Sequence, residues 1–258
     1  MNVWYRKYLP FGTVLRRECQ RFWSIRRQTI LGPLLETYLY ISVFGAALGS
    51  RIKDLEGHSY IAFIIPGLLL MAVAINAFSN NSSSLLQQKL QRAIDDQLAS
   101  PVSNSGLLAA FTLGGFIRGL LIAAITFVTA SFLIDLPVAH PLLLVGSLMI
   151  CGLFFASLGV LVGLRGETFD NISFYQTFVL QPLIFLGGIF YSVTLLPEPF
   201  KTITHFDPML YMINTVRYGM LGSADVNPYL SLVVIFAATA GLIGVNLYLF
   251  KKGYRLRS

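Results

Sequence analysis

Residues 60–80 read YIAFIIPGLLLMAVAINAFSN, without one Asp, Glu, Lys or Arg. A helix needs about 20 apolar residues to cross the roughly 30 Å hydrocarbon core of a bilayer, and this run supplies them. Working outward, runs of the same character lie at about 30–49, 106–134, 141–164, 172–196 and 229–250. The sequence therefore predicts an all-α integral membrane protein with six transmembrane helices. Composition points the same way. The 258 residues are 55% hydrophobic and only 12% charged, with mean hydropathy +0.68, whereas soluble domains carry about 25% charged residues. So little charge does not cover a soluble surface, which excludes a free cytosolic enzyme. The net charge of +7 is not read as a nucleic-acid footprint, because the basic residues cluster at the termini, outside the apolar runs.

The whole chain, 1–258, reads as one transmembrane domain: an amphipathic segment 1–29, a six-span bundle 30–250 and a tail 251–258. Ala47-Leu48-Gly49 resembles a signal-peptide cleavage site, but the basic region before it is too long and the apolar segment too extended. The first span is expected to stay uncleaved. Orientation follows from the basic residues. Arg6, Lys7, Arg16, Arg17, Arg21, Arg26, Arg27, Lys89, Arg92, Arg165, Lys251, Lys252, Arg255 and Arg257 fall on one side, against Arg51, Lys53, Lys201 and Arg217 on the other. Both termini are expected in the cytoplasm. Gly114, Gly115 and Gly119, and Gly187 and Gly188, are expected to serve close helix packing.

Before the first span, Phe11, Val14, Leu15, Cys19 and Phe22 fall at helical spacing, with Arg16, Arg17, Arg21 and Arg27 largely off that stripe. Such a helix lies along a membrane surface, its apolar face in the acyl boundary and its arginines at anionic headgroups. Trp4, Tyr5, Tyr8 and Trp23 suit the same interface. The loop 81–105 is the most polar stretch. Asn80, Asn81, Ser82, Ser83 and Ser84 offer capping chemistry. After them, Leu85, Leu86, Leu90 and Ile94 alternate with Gln87, Gln88, Lys89, Gln91, Arg92, Asp95 and Asp96 in an expected short helix that Pro101 stops. Asp170 and Asn171 are expected to cap the fifth span. After that span, Pro199 as first helical residue and Asp207 as cap before Pro208 start two short helices through Tyr211 and Arg217, which Gly222 closes. They are expected to dip into the outer leaflet as a re-entrant pair.

The sequence carries no recognisable catalytic or metal-binding motif. A phosphate-binding loop needs glycine before Lys-Ser or Lys-Thr, and the sole such pair, Lys201-Thr202, follows Phe200. Cys19 and Cys151 stand in different surroundings, and His58, His140 and His205 are scattered. No catalytic, cofactor-binding or metal-ligating residue is assigned. Glu36 and Arg118 fall inside spans, where ionisable groups cost a few kcal/mol. They are expected to neutralise each other. The alternatives are that backbone carbonyls neutralise them or that Arg118 binds an anionic substrate headgroup.

Several features together are familiar: the basic N-terminal helix, the six spans, the polar loop after the second and Thr-Phe-Asp-Asn-Ile-Ser at 168–173. To these add Gly187-Gly188-Ile189-Phe190-Tyr191-Ser192, Leu195-Leu196-Pro197, Asp207-Pro208-Met209-Leu210-Tyr211 and Arg217-Tyr218-Gly219. The chain resembles the type-2 permease subunits of ATP-binding-cassette transporters, especially those similar to the nodulation-factor and capsular-polysaccharide export permeases. That resemblance implies an ATP-driven exporter in the bacterial cytoplasmic (inner) membrane, built as a self-dimer over two copies of a separate ATPase subunit that holds ATP and Mg. It implies that Arg16, Arg17, Gln87, Gln88, Gln91, Arg92, Asp95 and Asp96 contact the ATPase. Glu36, Tyr38, Phe44, Arg118, Phe174, Phe178, Phe185 and Tyr191 would border a path for an amphipathic or lipid-linked substrate. A stand-alone channel or secondary transporter is the alternative function.

Overall fold

The computed structural model describes residues 3–48, 55 and 57–256, excepting the side chains of 3–9 and 46–48. The expectations for the side chains of Trp4, Tyr5, Arg6, Lys7 and Tyr8, and for Arg51, Lys53 and Arg257, thus lie outside what is described. The elements in chain order are α1 (Val3–Ser24), α2 (Arg26–Leu48), α3 (Tyr60–Leu90), α4 (Ala93–Ala99), α5 (Asn104–Leu133) and α6 (Pro141–Arg165). There follow α7 (Phe169–Phe174), a π-helical stretch (Tyr175–Leu180), α8 (Gln181–Leu186), a 3-10 turn (Val193–Leu195), α9 (Phe200–His205), α10 (Pro208–Leu221) and α11 (Pro228–Lys252). No β-strand occurs among the described residues. The all-α membrane class holds, and α3, α5, α6 and α11 are each long and apolar enough to cross a bilayer.

Local chemistry sets most boundaries. Ser59 caps α3 by accepting from the Ala62 N–H, and Ser103 caps α5 by accepting from the Gly106 N–H. Asp207 accepts from the Met209 N–H at 2.8 Å, as the sequence predicts, with Pro208 next and Gly222 in the left-handed conformation at the far end. Three details differ. Thr168, rather than Asp170 or Asn171, caps α7, and Asn171 completes a reciprocal capping box. Pro199 occupies the cap of α9, with Phe200 the first helical residue. The fifth run ends at Leu186 instead of 196, because the chain turns at Gly187-Gly188, where Gly188 takes φ +90°.

The larger correction concerns α3. The sequence predicts that the second span ends near 80 and that a separate helix covers 85–96. In the structure α3 runs unbroken to Leu90, and Arg92, at φ 56°, breaks the chain before the short α4. Asn80, Asn81, Ser82 and Ser84 are buried mid-helix. Polar residues there need not cap or end a helix when tertiary partners satisfy them. The Asn81 amide donates to the Ala156 carbonyl at 2.9 Å, and the Ser82 hydroxyl to Phe78 O at 2.8 Å.

α3 is the buried axis, with α5 and α6 packed along it. Small residues permit this approach. A Cβ added to Gly115 would strike the Asn81 side chain, and one added to Gly159 would strike Phe78 O. At Gly119 it would lie 3.0 Å from Ala77 Cβ. The expectation that Gly114, Gly115 and Gly119 serve packing is met. At one end, α10 leans on the start of α6 through backbone bonds from His140 N to Gly219 O (2.8 Å) and from Ala139 N to Met220 O (2.9 Å). At the other end α1, α4 and the end of α11 share an apolar cluster around Val14, Leu85, Ile94, Phe111 and Phe250.

Gly159→Ala should destabilise the detergent-solubilised protein by about 1–3 kcal/mol, because backbone rather than a flexible side chain blocks the new methyl. Gly146→Ala, whose Cβ meets nothing within 4 Å, should not. Thermal unfolding followed by light scattering compares the two, and equal melting temperatures would contradict this packing.

Candidate functional site

On α1, Val14, Glu18 and Phe22 recur every four residues and turn inward, while Arg16 and Arg17 stay exposed. α1 therefore does more than lie on a surface, because it presses a carboxylate into the bundle. Glu18 is 0% exposed, and its Cβ packs onto Gly114 of α5. A buried carboxylate is tolerated only when its oxygens are bonded. Ser84 Oγ donates to Glu18 Oε2 at 2.7 Å and Gln88 Nε2 donates to Oε1 at 2.9 Å. The Gln97 amide of α4 donates in turn to Gln88 Oε1. One chain of hydrogen bonds thus ties α1, the end of α3 and α4 together.

From the same carboxylate the cluster climbs the bundle. Arg21 Nε lies 3.8 Å from Glu18, and its Nη2 donates to Asn80 O at 2.6 Å and to Asn80 Oδ1 at 2.8 Å. Arg118 reaches Asn80 Oδ1 at 3.5 Å and Asn76 Oδ1 at 3.4 Å. Lys89 closes the lower edge. Its ammonium donates to Leu164 O at 2.7 Å and Gly166 O at 3.0 Å, satisfying carbonyls at the end of α6.

The expected pairing of Glu36 with Arg118 does not occur. The Thr37 hydroxyl donates to Thr126 Oγ1 at 3.5 Å, and α2 and α5 run in the same direction. Arg118 therefore sits about eight residues, ~12 Å, below Thr126, and Glu36 sits beside Thr37. The register leaves the two charges about 10 Å apart along the bundle. Glu36 instead borders a small gap beside Pro33, Met71 and Asn76. Of the other loop residues singled out in the sequence, Gln87, Gln91, Arg92 and Asp96 are exposed, Asp95 is half-buried and Gln88 is buried in the Glu18 cluster. The mixed-charge helix expected at 85–96 is thus divided between a buried α3 end and an exposed α4 face.

Tyr38, Phe174, Phe178 and Phe185 are exposed on the isolated chain, Phe178 by 67%. Phe174 and Phe178 lie 5.2 Å apart between ring centroids. Phe190 bridges α2 to α8, stacking on Phe44 at 4.7 Å and on Phe185 at 5.7 Å between centroids. The Tyr191 hydroxyl donates to Leu186 O at 2.9 Å and holds the turn. The Tyr211 hydroxyl donates to His205 O at 2.9 Å, joining α10 to α9.

Two residues gain a weight that the sequence reading missed. Glu18 lies on the apolar stripe of α1, and a carboxylate there was the available signal. Arg217, expected only as a residue of the re-entrant pair, is 1% exposed. It pairs with Asp225 at 3.2 Å, donates to Gly188 O at 2.6 Å and stacks over the Phe63 ring at 3.9 Å. Asp225 also accepts from the Ser192 hydroxyl and from Val193 N at 3.2 Å. No group of three or more His, Cys, Asp or Glu able to hold a metal occurs among the described residues.

The family model for ABC-2 type transporters matches residues 10–221, from α1 through α10. The chain belongs to the ABC-2 type transporter family. It is 37% identical over 251 residues to the inner membrane transport permease YadH of Escherichia coli strain K12, covering 97% of this chain and 98% of that one. It is 28% identical over 231 residues to nodulation protein J of Rhizobium meliloti, covering 86% and 80% of the two chains. Nodulation protein J of Rhizobium leguminosarum bv. viciae is 29% identical over 245 residues, covering 91% and 87%. The ABC-2 chain is thus a membrane transport permease of an ABC transporter, as its resemblance implied.

Glu18→Ala should cost about 3–5 kcal/mol of stability, since it leaves Arg21 without its carboxylate and strands the Gln88 amide. Adding Gln88→Ala should cost little more, because both changes cut one network. Chemical unfolding of the two single variants and the double measures this, and fully additive losses would contradict the shared network.

Proposed function

We infer that this permease is the membrane half of an ATP-driven exporter, working as a dimer of six-span subunits over two copies of a separate ATPase. The observation that carries the reading is the bond chain Gln97–Gln88–Glu18, which couples the small exposed helix α4 to both α1 and the long axis α3. A push on α4 would be delivered to the buried axis rather than absorbed by a loop. Asp95 and Asp96 of α4, with Arg16, Arg17, Gln87, Gln91 and Arg92, would form the ATPase-facing surface, with ATP and Mg on the partner. α2 and the continuous helical stretch 169–186 join the four long apolar helices as the remaining spans. α9 and α10 form the re-entrant pair on the outer side, and both termini face the cytoplasm of a bacterial inner membrane.

The exposed rings of Tyr38, Phe174, Phe178 and Phe185 support a path at the dimer contact. A second copy presenting the same residues would form a symmetric contact there. Aromatic walls suit an amphipathic or lipid-linked substrate. One relative is named an inner membrane transport permease, which supports transport across that membrane.

Coexpression with the cognate ATPase should yield a complex in which ATP turnover requires both chains. Asp96→Lys with Gln91→Lys should reduce copurification several-fold without lowering the amount of permease in the membrane. Unchanged copurification would reject the α4 contact.

Topology has its own check. In a Cys19→Ser background, a cysteine at the exposed position Thr202 should react with an impermeant maleimide added outside intact cells. A cysteine at the exposed position Lys251 should react only after permeabilisation. The reverse pattern would overturn the orientation.

A further inference from the structure

The corner where α1 hands over to α2 gathers more positive charge than its own residues neutralise. Arg118 stands level with about residue 29, on the register set by Thr37 and Thr126. There the Thr29 hydroxyl donates to Phe22 O at 3.3 Å and fixes the corner. Arg16, Arg17, Arg26 and Arg27 are exposed around it. An amphipathic helix marks the headgroup level of a membrane, so Arg118 lies close to that level and not at the bilayer centre.

The carboxylate within bonding range of this corner is Glu18, whose oxygens are engaged by Ser84, Gln88 and Arg21. Glu36 stands about 10 Å further along the bundle. Arg21 and Arg118 both turn toward a single neutral oxygen, Asn80 Oδ1, at 2.8 and 3.5 Å. Arg118 makes only long bonds to amide oxygens, and its Nε is buried without a hydrogen-bond partner. The Arg21 Nε likewise makes no hydrogen bond. Two guanidiniums with unspent donors thus converge on one neutral amide oxygen. Guanidinium forks match the oxygens of a phosphate, and phosphate headgroups populate this level of the membrane.

We propose that Arg118, with Arg21 beside it, binds the anionic phosphate headgroup of an amphiphile in the leaflet that α1 lies on. Asn76 and Asn80 hold Arg118 in place through its two long bonds, and the incoming oxyanion replaces those bonds with charge-assisted ones. The site requires only that α1 lie at the membrane surface, and it stands whether or not the chain exports its ligand. A soluble phosphate ion shares the chemistry and is the competing source.

The purified full-length chain in nonionic detergent is titrated with dioctanoylphosphatidate, dioctanoylphosphatidylcholine or inorganic phosphate, and binding is read by native mass spectrometry and thermal shift. Phosphatidate should bind best, and Arg118→Gln should weaken it about tenfold while leaving phosphatidylcholine unchanged. Arg118→Lys, which keeps the charge and loses the fork, should fall between the two, and it decides the matter if the glutamine variant does not fold. Equal phosphatidate binding by the parent and the Arg118 variants, or no preference for phosphatidate over phosphatidylcholine, would overturn the proposal. Inorganic phosphate binding as tightly as phosphatidate would overturn the lipid assignment in favour of the soluble ion.

Discussion

A carboxylate buried without solvent is the constraint on which the end of the bundle near α1 depends. The Glu18 side chain is buried only because Ser84 and Gln88 bond its oxygens and Arg21 stands beside it. Those contacts fix the roll of α1 about its axis, the length of α3 and the seat of α4. It also explains why Gly114 is glycine, since the Glu18 Cβ occupies the space a side chain would need. An apolar residue at position 18 would pack there too, but it would accept many rotations of α1. The bonded acid accepts one, which is the use best attested for buried polar groups.

The far end of the bundle solves a similar problem with a cation. Arg217 is held by Asp225, by the Gly188 carbonyl and by the Phe63 ring. Those partners come from α3, from the turn after α8 and from the segment before α11, so one side chain gathers three parts of the chain. The two ends are thus pinned by charged residues of opposite sign. The middle is held by small residues and apolar packing, where helices can slide with less loss.

Much of this was legible in the sequence, and the failures have physical causes. Apolar runs located the helices, and caps such as Asp207-Pro208 were read correctly because their chemistry is local. The polar run Asn80–Ser84 misled, because a helix continuing through polar residues looks the same as a loop until α1 and α6 supply partners. The proposed Glu36–Arg118 pair failed for a related reason. Both residues sit in spans, but only the Thr37–Thr126 register shows that they occupy different depths. The roles of Glu18 and Arg217 depend on contacts between residues far apart in the chain, which periodicity does not report.

The π-helical stretch Tyr175–Leu180 has a consequence for how this chain tolerates change in length. A π turn winds extra backbone into nearly the same rise as an α turn. Deleting one residue there would let the segment relax to an ordinary α-helix, with everything before it left in place. Each residue of an α-helix accounts for about 100° of rotation, so such a deletion offers a route to remove the irregularity without turning the Gly187-Gly188 corner away from Arg217. The Ser79 hydroxyl, which donates to Gln176 Oε1 at 2.7 Å, marks the face where the surplus is held. Elsewhere in the spans, where no such slack is stored, losing a residue would rotate every contact that follows.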